Sequence, residues 1–407
     1  MKAEILIAGI SQLVTAEGVG PRHGQAMREL KIVKEAAIAI SSSVILWTGK
    51  ESEWRGEAEA TVDAGGRAVV PGLVDPHTHA VWAGNRLADF EARTSGSTYE
   101  EILAAGGGIR STIRATAAAS KDDLLALAKP RIDSLIASGA TTIEVKSGYG
   151  FTTEAELAML EAIQSLSAGA AARIVPTLLI HIPPAIATER SSYLSRVCDE
   201  LIPEVASRNL ATAVDIFVEK EAWHVPEAEE VFQRAKQFGL AIKLHSDQFH
   251  SIGGVELGTD FGALSVDHLE ASGPEQIAKI ASSSTIATIL PGVSLHLGIP
   301  SAPGRKLVDA GAAVAVGTDL NPGSSPLFSI STALALSVRL NGLTVEEAIV
   351  AGTVNAACAL GIKDAGRLEA GCAADFVVLQ SSDWRDLVYT LGANPVRDVW
   401  IGGKKVR

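Results

Sequence analysis

Cysteine is nearly absent from this chain: Cys198, Cys358 and Cys372 are the only three in 407 residues. They are odd in number, widely spaced and never arranged Cys-x-x-Cys, which argues against a disulfide framework and against a thiolate zinc site. Such usage points to the cytoplasm. An excess of basic charge is also missing. The net charge of −12 and the isoelectric point near 5.3 argue against nucleic-acid or anionic-membrane partners. No apolar run reaches the length of a bilayer. The opening Met1-Lys-Ala-Glu-Ile-Leu-Ile-Ala lacks the apolar core and cleavage pattern of a signal peptide and reads as a first strand. No internal repeat or low-complexity tract interrupts the sequence. Gly106-Gly-Gly108 lacks the Lys-Ser/Thr of a phosphate-binding loop. It fits a mobile loop over a site, followed by a helical stretch over 111–119.

Core material is plentiful. The chain is 47% hydrophobic with a mean hydropathy of +0.23, which suits one large domain and a smaller one. Eight short apolar, β-branched-rich runs lie at 68–74, 141–146, 173–180, 214–218, 241–244, 263–266, 285–290 and 312–316. Helical patterns over 120–138, 154–166, 191–208 and 225–238 separate several of them. Eight βα units over about 300 residues is the count of a (β/α)8 barrel; a doubly wound open sheet is the rival architecture. Thr344, with Glu347 three residues on, reads as a capping box opening a helix that continues over 348–360. Further strands are expected at 4–7, 36–40 and 44–47, and again at 374–379 and 398–401. The expectation is an α/β protein: a barrel of residues 67–364 flanked by a small composite β-sandwich domain built from 1–66 and 365–407.

Barrels of this kind carry their chemistry at the carboxyl ends of the strands. The first strand ends in His77-Thr-His79. Residues i and i+2 of an extended segment share a face, so both imidazoles can aim at one point. Neutral imidazoles suit zinc, iron or manganese. The second strand runs into Lys146-Ser-Gly-Tyr149, the third into His181, the fifth into His245-Ser-Asp-Gln248 and the sixth into Asp267-His268. The eighth runs into Gly317-Thr-Asp319-Leu-Asn321-Pro-Gly323-Ser324. His77, His79, His245 and Asp319 would complete a mononuclear site with a position left for water. Plainer readings stand beside this one: His245 as a hydrogen-bonded core histidine, Asp319 as a turn cap. His268 is either structural or a group that polarises a carbonyl or shuttles a proton. Lys146 could bridge two metals only when carboxylated, and the further ligands this needs are missing; it reads as a salt-bridged neighbour of the site. His23, His224, His250 and His296 read as loop or surface residues.

Several segments then combine: Pro71-Gly-Leu-Val-Asp-Pro-His-Thr-His79, Gly84-Asn-Arg86, Ala105-Gly-Gly-Gly-Ile-Arg-Ser-Thr112, Glu144-Val-Lys-Ser-Gly-Tyr-Gly150, Lys243-Leu-His-Ser-Asp-Gln248, Ser265-Val-Asp-His-Leu269 and Gly317 to Ser324. With them the chain resembles the amidohydrolase superfamily and, within it, the imidazolonepropionase family, over nearly its whole length. The resemblance implies that His77, His79, His245 and Asp319 hold one divalent or trivalent transition metal ion, zinc or iron. It implies substrate contacts at Arg86, Tyr149, His181, Gln248, Asn321, Gly323 and Ser324, and catalytic parts for Asp319, His268, His181 and Gln248. The activity implied is hydrolytic ring opening of 4-imidazolone-5-propanoate to N-formimidoyl-L-glutamate, a step of histidine degradation. Metal-activated water would be the nucleophile and Asp319 the base, with His268 or His181 polarising the carbonyl and Arg86 binding the propionate. A small-molecule substrate and a homodimer complete this expectation.

Two departures qualify the resemblance. Gln248 stands where some members carry Glu; it can hydrogen-bond but cannot accept a proton. Thr177-Leu-Leu-Ile, before His181, lacks the family's Gly-Ala-His form. A deaminase of the same superfamily is the nearest rival, and Gln248 counts against it because no carboxyl group is there to protonate a leaving amine. Action on another cyclic amide is a further rival, and a non-catalytic ligand-binding barrel is the most remote.

Overall fold

Four strands open the chain in the computed structural model, which describes residues 1–98, 101–102 and 105–407. They are β1 (Lys2–Val14), β2 (Ile32–Ser41), β3 (Val44–Lys50) and β4 (Glu57–Asp63). The apolar run over 68–74 predicts one strand next. The structure makes two, β5 (Val69–Pro71) and β6 (Leu73–Asp75), and they belong to different sheets. The division falls at Gly72, where a Cβ would lie 2.2 Å from Thr141 Oγ1. Only glycine lets the chain pass so close to the neighbouring strand.

From β6 the chain winds through β7 (Ala140–Lys146), β8 (Arg173–Ile180), β9 (Ala213–Val218), β10 (Ala241–Ser246), β11 (Ser265–His268), β12 (Ile286–Ile289) and β13 (Val314–Val316). These eight are parallel and adjacent in sequence order. A bridge between Thr78 and Leu320 joins the extensions of the first and last strands. There His79 N–H donates to Leu320 O and Asp319 N–H donates to His77 O, each at 2.9 Å. The architecture is therefore the barrel and not the open sheet, and its seam runs through residues expected to hold a metal.

Several helices pack an apolar stripe onto the barrel. The Lys121–Ala137 helix starts in a capping box between Ser120 and Asp123 and buries Leu124, Ala128, Ile132, Leu135 and Ile136. The helix expected over 191–208 contains a π-helical stretch, Val197–Leu201, just ahead of Pro203, which has no N–H to continue a regular ladder. The Thr344–Glu347 capping box forms, but the continuous helix expected after it is two, Val345–Ala351 and Val354–Cys358. Residues after the break, Ala356, Ala357, Ala359 and Leu360, pack with Val74, Val175, Ile286, Ala313 and Ala315 into an apolar cluster.

The chain then returns to the first sheet as β14 (Phe376–Leu379), β15 (Val396–Ile401) and β16 (Lys404–Lys405). Its order is β16-β15-β14-β5-β1-β2-β3, with β4 beside β1. Both chain ends thus meet in one mixed sheet. Ile7, Ile10, Leu13, Ile38, Ile40, Phe376 and Trp400 form its core, with the Phe376 and Trp400 rings stacked at 5.3 Å. No helix among the described residues is long and apolar enough to cross a membrane.

Candidate active site

On the strands that carry the site, alternation sends apolar residues to the helices and polar ones inward. On β10, Ile242 and Leu244 join the large core while Lys243 and His245 enter the barrel's buried polar interior. The interior carries Glu144 and Lys146 from β7, Asp215 from β9 and Asp267 from β11, all fully buried. Lys146 Nζ lies 2.8 Å from Glu144 Oε2 and 2.7 Å from Asp215 Oδ2. Lys243 Nζ lies 3.6 Å from Asp267 Oδ2 and donates to Ser265 Oγ at 2.8 Å. Burial disfavours the Lys146 ammonium, but Asp215 and Glu144 outweigh it and raise its pKa. Lys146 is therefore the salt-bridged residue that the sequence suggested.

These carboxylates fix the imidazoles above them. Asp267 Oδ2 accepts from His77 Nδ1 at 2.6 Å, and Asp215 Oδ1 from His245 Nδ1 at 2.9 Å. A histidine whose Nδ1–H is held in this way presents Nε2 as a ligand atom. His77 Nε2 lies 3.4 Å from Asp319 Oδ1, and His79 Nε2 lies 3.1 Å from the same oxygen. His245 Nε2 is 3.4 Å from His79 Nε2. His77 Nε2 and Asp319 Oδ1 are buried with no hydrogen-bond partner among the described residues. Orphaned, convergent donor atoms of this kind fit a metal ion. Formally, three carboxylates face two ammonium groups in the layer beneath, and Asp319 adds one more negative charge. A divalent cation would balance the excess.

With only protein groups present, burial and Lys146 push the His77 pKa down, yet the hydrogen bond to Asp267 and the nearby Asp319 carboxylate outweigh them and hold it at about 9. Burial lowers His79 and takes His245 well below its usual value. Asp319 is also driven up by burial, but His77 and His79 hold it well below the usual carboxylate range. Asp75 ties the first strand to the last by accepting from Thr318 N–H at 3.0 Å and Thr318 Oγ1–H at 2.6 Å. Burial raises its pKa to about 7.

Five of the nine histidines in the sequence meet here. His181 stacks on His79 with ring centroids 5.6 Å apart, and burial with its His79 neighbour lowers its pKa to about 3. The Tyr149 ring lies 5.4 Å from His181 and 6.0 Å from His79; burial raises its hydroxyl pKa. His268 lies 5.3 Å from His245, ring to ring. His23, His224 and His250 are exposed, and His296 is half-buried, stacked on Phe90.

Gln248 is 8% exposed and has no hydrogen-bond partner among the described residues, which leaves its amide for a bound molecule. Asn321 is different. Its Nδ2 donates to Asp319 Oδ2 at 2.9 Å and to Ser324 Oγ at 2.9 Å, while its Oδ1 accepts from Gly323 N–H and Ser324 N–H at 2.8 Å. It therefore holds the loop and the Asp319 carboxylate together. A Cβ on Gly323 would lie 3.2 Å from Arg86 Nη1, so glycine admits the guanidinium to this loop.

The sequence reading missed the carboxylates that hold the site, Glu144, Asp215 and Asp89, and a further buried one beside it, Glu270. Asp89 Oδ2 pairs with Arg86 Nε and accepts Gly108 N–H at 2.9 Å, linking the guanidinium to the glycine loop. Its three-residue spacing from Arg86 on a helical turn was the available signal.

The profile of the amidohydrolase family matches residues 68–406. The imidazolonepropionase of Deinococcus deserti is 61% identical over 404 residues, covering 99% of this chain and 100% of that protein. That of Chloroflexus aggregans is 41% identical, covering 99% and 98%. Among solved structures, a zinc-bound adenosine deaminase from Xanthomonas campestris superposes with a TM-score of 0.73 at 19% identity, covering 99% of this chain and 93% of that one; that likeness concerns the fold alone. The chain belongs to the amidohydrolase family and, within it, to the imidazolonepropionases.

Proposed function

We propose that this chain hydrolyses the ring amide of 4-imidazolone-5-propanoate, giving N-formimidoyl-L-glutamate in histidine degradation. One observation carries the reading. In a member of the imidazolonepropionases, His77 Nε2, His79 Nε2, His245 Nε2 and Asp319 Oδ1 converge beside a half-buried arginine. Those four residues would hold one transition metal ion, zinc or iron. When bound, such an ion supplies Lewis-acid chemistry, making water more acidic and an amide carbonyl more electrophilic.

The remaining work falls to side chains. Arg86 binds the propionate as a fork, and Tyr149, His181 and Gln248 surround the ring. Asn321 keeps Asp319 oriented, while Gly323 and Ser324 line the loop beside Arg86. Asp319 takes the proton from attacking water. The water oxygen bonds to the ring carbonyl carbon, the adjacent C–N bond breaks, and that nitrogen gains the proton. His268 and His181 stabilise the charge that develops on the carbonyl oxygen. The same reading makes the enzyme cytoplasmic and homodimeric, without nucleic-acid or membrane partners; the acidic charge argues against those partners and the three free cysteines fit the cytoplasm, while sedimentation tests the dimer.

The deciding experiment supplies substrate made in situ from urocanate, follows ring absorbance and identifies the product by mass spectrometry. Formiminoglutamate should form at an enzymatic rate, and a chelator or Arg86→Ala should suppress it. No turnover by fully metallated protein would redirect the search to another cyclic amide.

A further inference from the structure

Glu270 is a buried carboxylate that none of the chemistry above uses. Its side chain is 3% exposed, and neither of its oxygens has a hydrogen-bond partner among the described residues. A carboxylate so placed costs several kcal/mol in principle, so it calls for a reason. A group able to donate to it, His268 Nδ1, lies 3.5 Å from Glu270 Oε2. That nitrogen is also buried and without a partner. Each is the other's unmet need.

The backbone is bent to bring them together. Asp267 pairs with His245 in the β10–β11 register, and His268 with Ser246. Strict alternation would therefore send His268 to the helix side, opposite Asp267. Instead φ is +88° at His268 and +73° at Leu269, two successive non-glycine residues in the left-handed region. Each such residue costs about 1–3 kcal/mol unless its surroundings enforce it. The outcome is a His268 ring 5.3 Å from His245 and 5.7 Å from His77, with Glu270 behind it.

We infer that Glu270 is a positioning residue for His268. Its carboxylate accepts a hydrogen bond from Nδ1–H, fixes the ring's angle, and supports a second proton on Nε2, whose N–H donates to the substrate carbonyl oxygen as charge develops there. The 3.5 Å spacing shortens to a hydrogen bond in the substrate complex, as catalytic contacts commonly do. The physical logic is that of an acid orienting an imidazole from behind, where the wrong tautomer leaves the geometry intact and removes the activity. This inference rests on the reading that His268 acts on the substrate.

The test is a double-mutant cycle on the metal-loaded full chain, with wild-type turnover as the reference for both readings. Glu270→Gln should lower kcat by roughly a hundredfold, with KM, metal content and Tm unchanged. Glu270→Ala should lower kcat similarly in the wild-type background and have no further effect when His268→Ala is already present. Ring-nitrogen NMR of labelled histidine should show the His268 Nδ1–H signature lost in Glu270→Gln, a readout that needs neither substrate nor turnover. Near-normal kcat in Glu270→Gln, or equal losses from Glu270→Ala with and without His268, would overturn the inference. Near-normal kcat in His268→Ala would overturn it too, while wild-type turnover would leave the ring-opening function standing.

Discussion

The molecule contains two eight-stranded sheets that bury opposite kinds of residue. The mixed sheet built from the chain ends closes over isoleucines, Phe376 and Trp400, where stability comes from removing apolar surface from water and from tight packing. The barrel buries Glu144, Lys146, Asp215, Lys243 and Asp267 at its centre. Replacing such a buried ionic network by well-packed apolar residues is often neutral or stabilising, so stability does not explain its presence. Its geometry does: Asp267 and Asp215 hold the Nδ1 atoms of His77 and His245. One sheet uses its interior to hold itself together; the other gives up part of that benefit to aim side chains.

The sharpest way to break this contrast is at the barrel's carboxyl face. Asp319→Ala should cut kcat/KM by about a thousandfold or more and remove stoichiometric metal measured by plasma mass spectrometry, with the circular dichroism of the fold retained. Full metal content with near-normal turnover would mean that the convergence of imidazoles works without its carboxylate. A paired experiment compares the two interiors directly. Lys146→Met strands buried carboxylates, and Phe376→Ala opens a cavity; each should cost ~3–5 kcal/mol in urea unfolding. Activity should separate them. The folded fraction of Lys146→Met should lose about 10–100-fold in kcat, while Phe376→Ala should stay within about twofold of wild type. Equal activity in the two variants would make the charged layer a structural core like the other.

The same contrast explains what was legible in the sequence. Barrel strands announce themselves as short apolar, β-branched-rich runs, and His77, His79, His245 and Asp319 stand at their ends, so both the eight-strand count and a candidate ligand set can be read locally. Gly72 could not be read as a division, because an apolar run looks alike whether it lies in one sheet or crosses between two. Glu144 and Asp215 alternate with apolar neighbours as solvent-facing residues of a half-buried strand would; that they face inward follows only from closure of the barrel. Glu270 depends on two left-handed residues at His268 and Leu269, for which neither side chain carries a preference. The resemblance implies a substrate contact at Asn321, and the structure adds what the sequence does not show, that its amide also holds Asp319, Gly323 and Ser324 together.

A smaller effect probes the rim of the site. Asp89 joins Arg86 to the Gly108 backbone, and a Cβ on Gly107 would lie 2.4 Å from Asp89 Oδ1. Asp89→Asn keeps the hydrogen bond to Gly108 but loses the charge that holds the guanidinium. KM for the propionate substrate should rise about tenfold, worth about 1.4 kcal/mol, with kcat little changed. A fall in kcat at constant KM would instead make Asp89 part of the chemistry.

The smallest effect belongs to the mixed sheet and depends on pH. Asp375, just before β14, is buried, and burial raises its pKa despite the hydrogen bond it accepts from Gly402 N–H at 2.7 Å. A carboxyl group with a raised folded-state pKa binds its proton more tightly in the native protein than in the unfolded chain. Its contribution to stability is therefore complete below the unfolded value near 4 and declines as pH climbs through the folded value. Asn at this position offers Gly402 the same acceptor oxygen and does not titrate. Asp375→Asn should consequently match wild type in Tm at pH about 4 and exceed it by ~1–2 °C at pH about 8, with kcat unaffected because the residue lies in the apolar sheet's territory and not in the barrel's. A gap that shrinks as pH rises would reverse the sign of the argument, and would mean that the Asp375 carboxylate is favoured in the folded state, making the mixed sheet the holder of a stabilising buried charge as well.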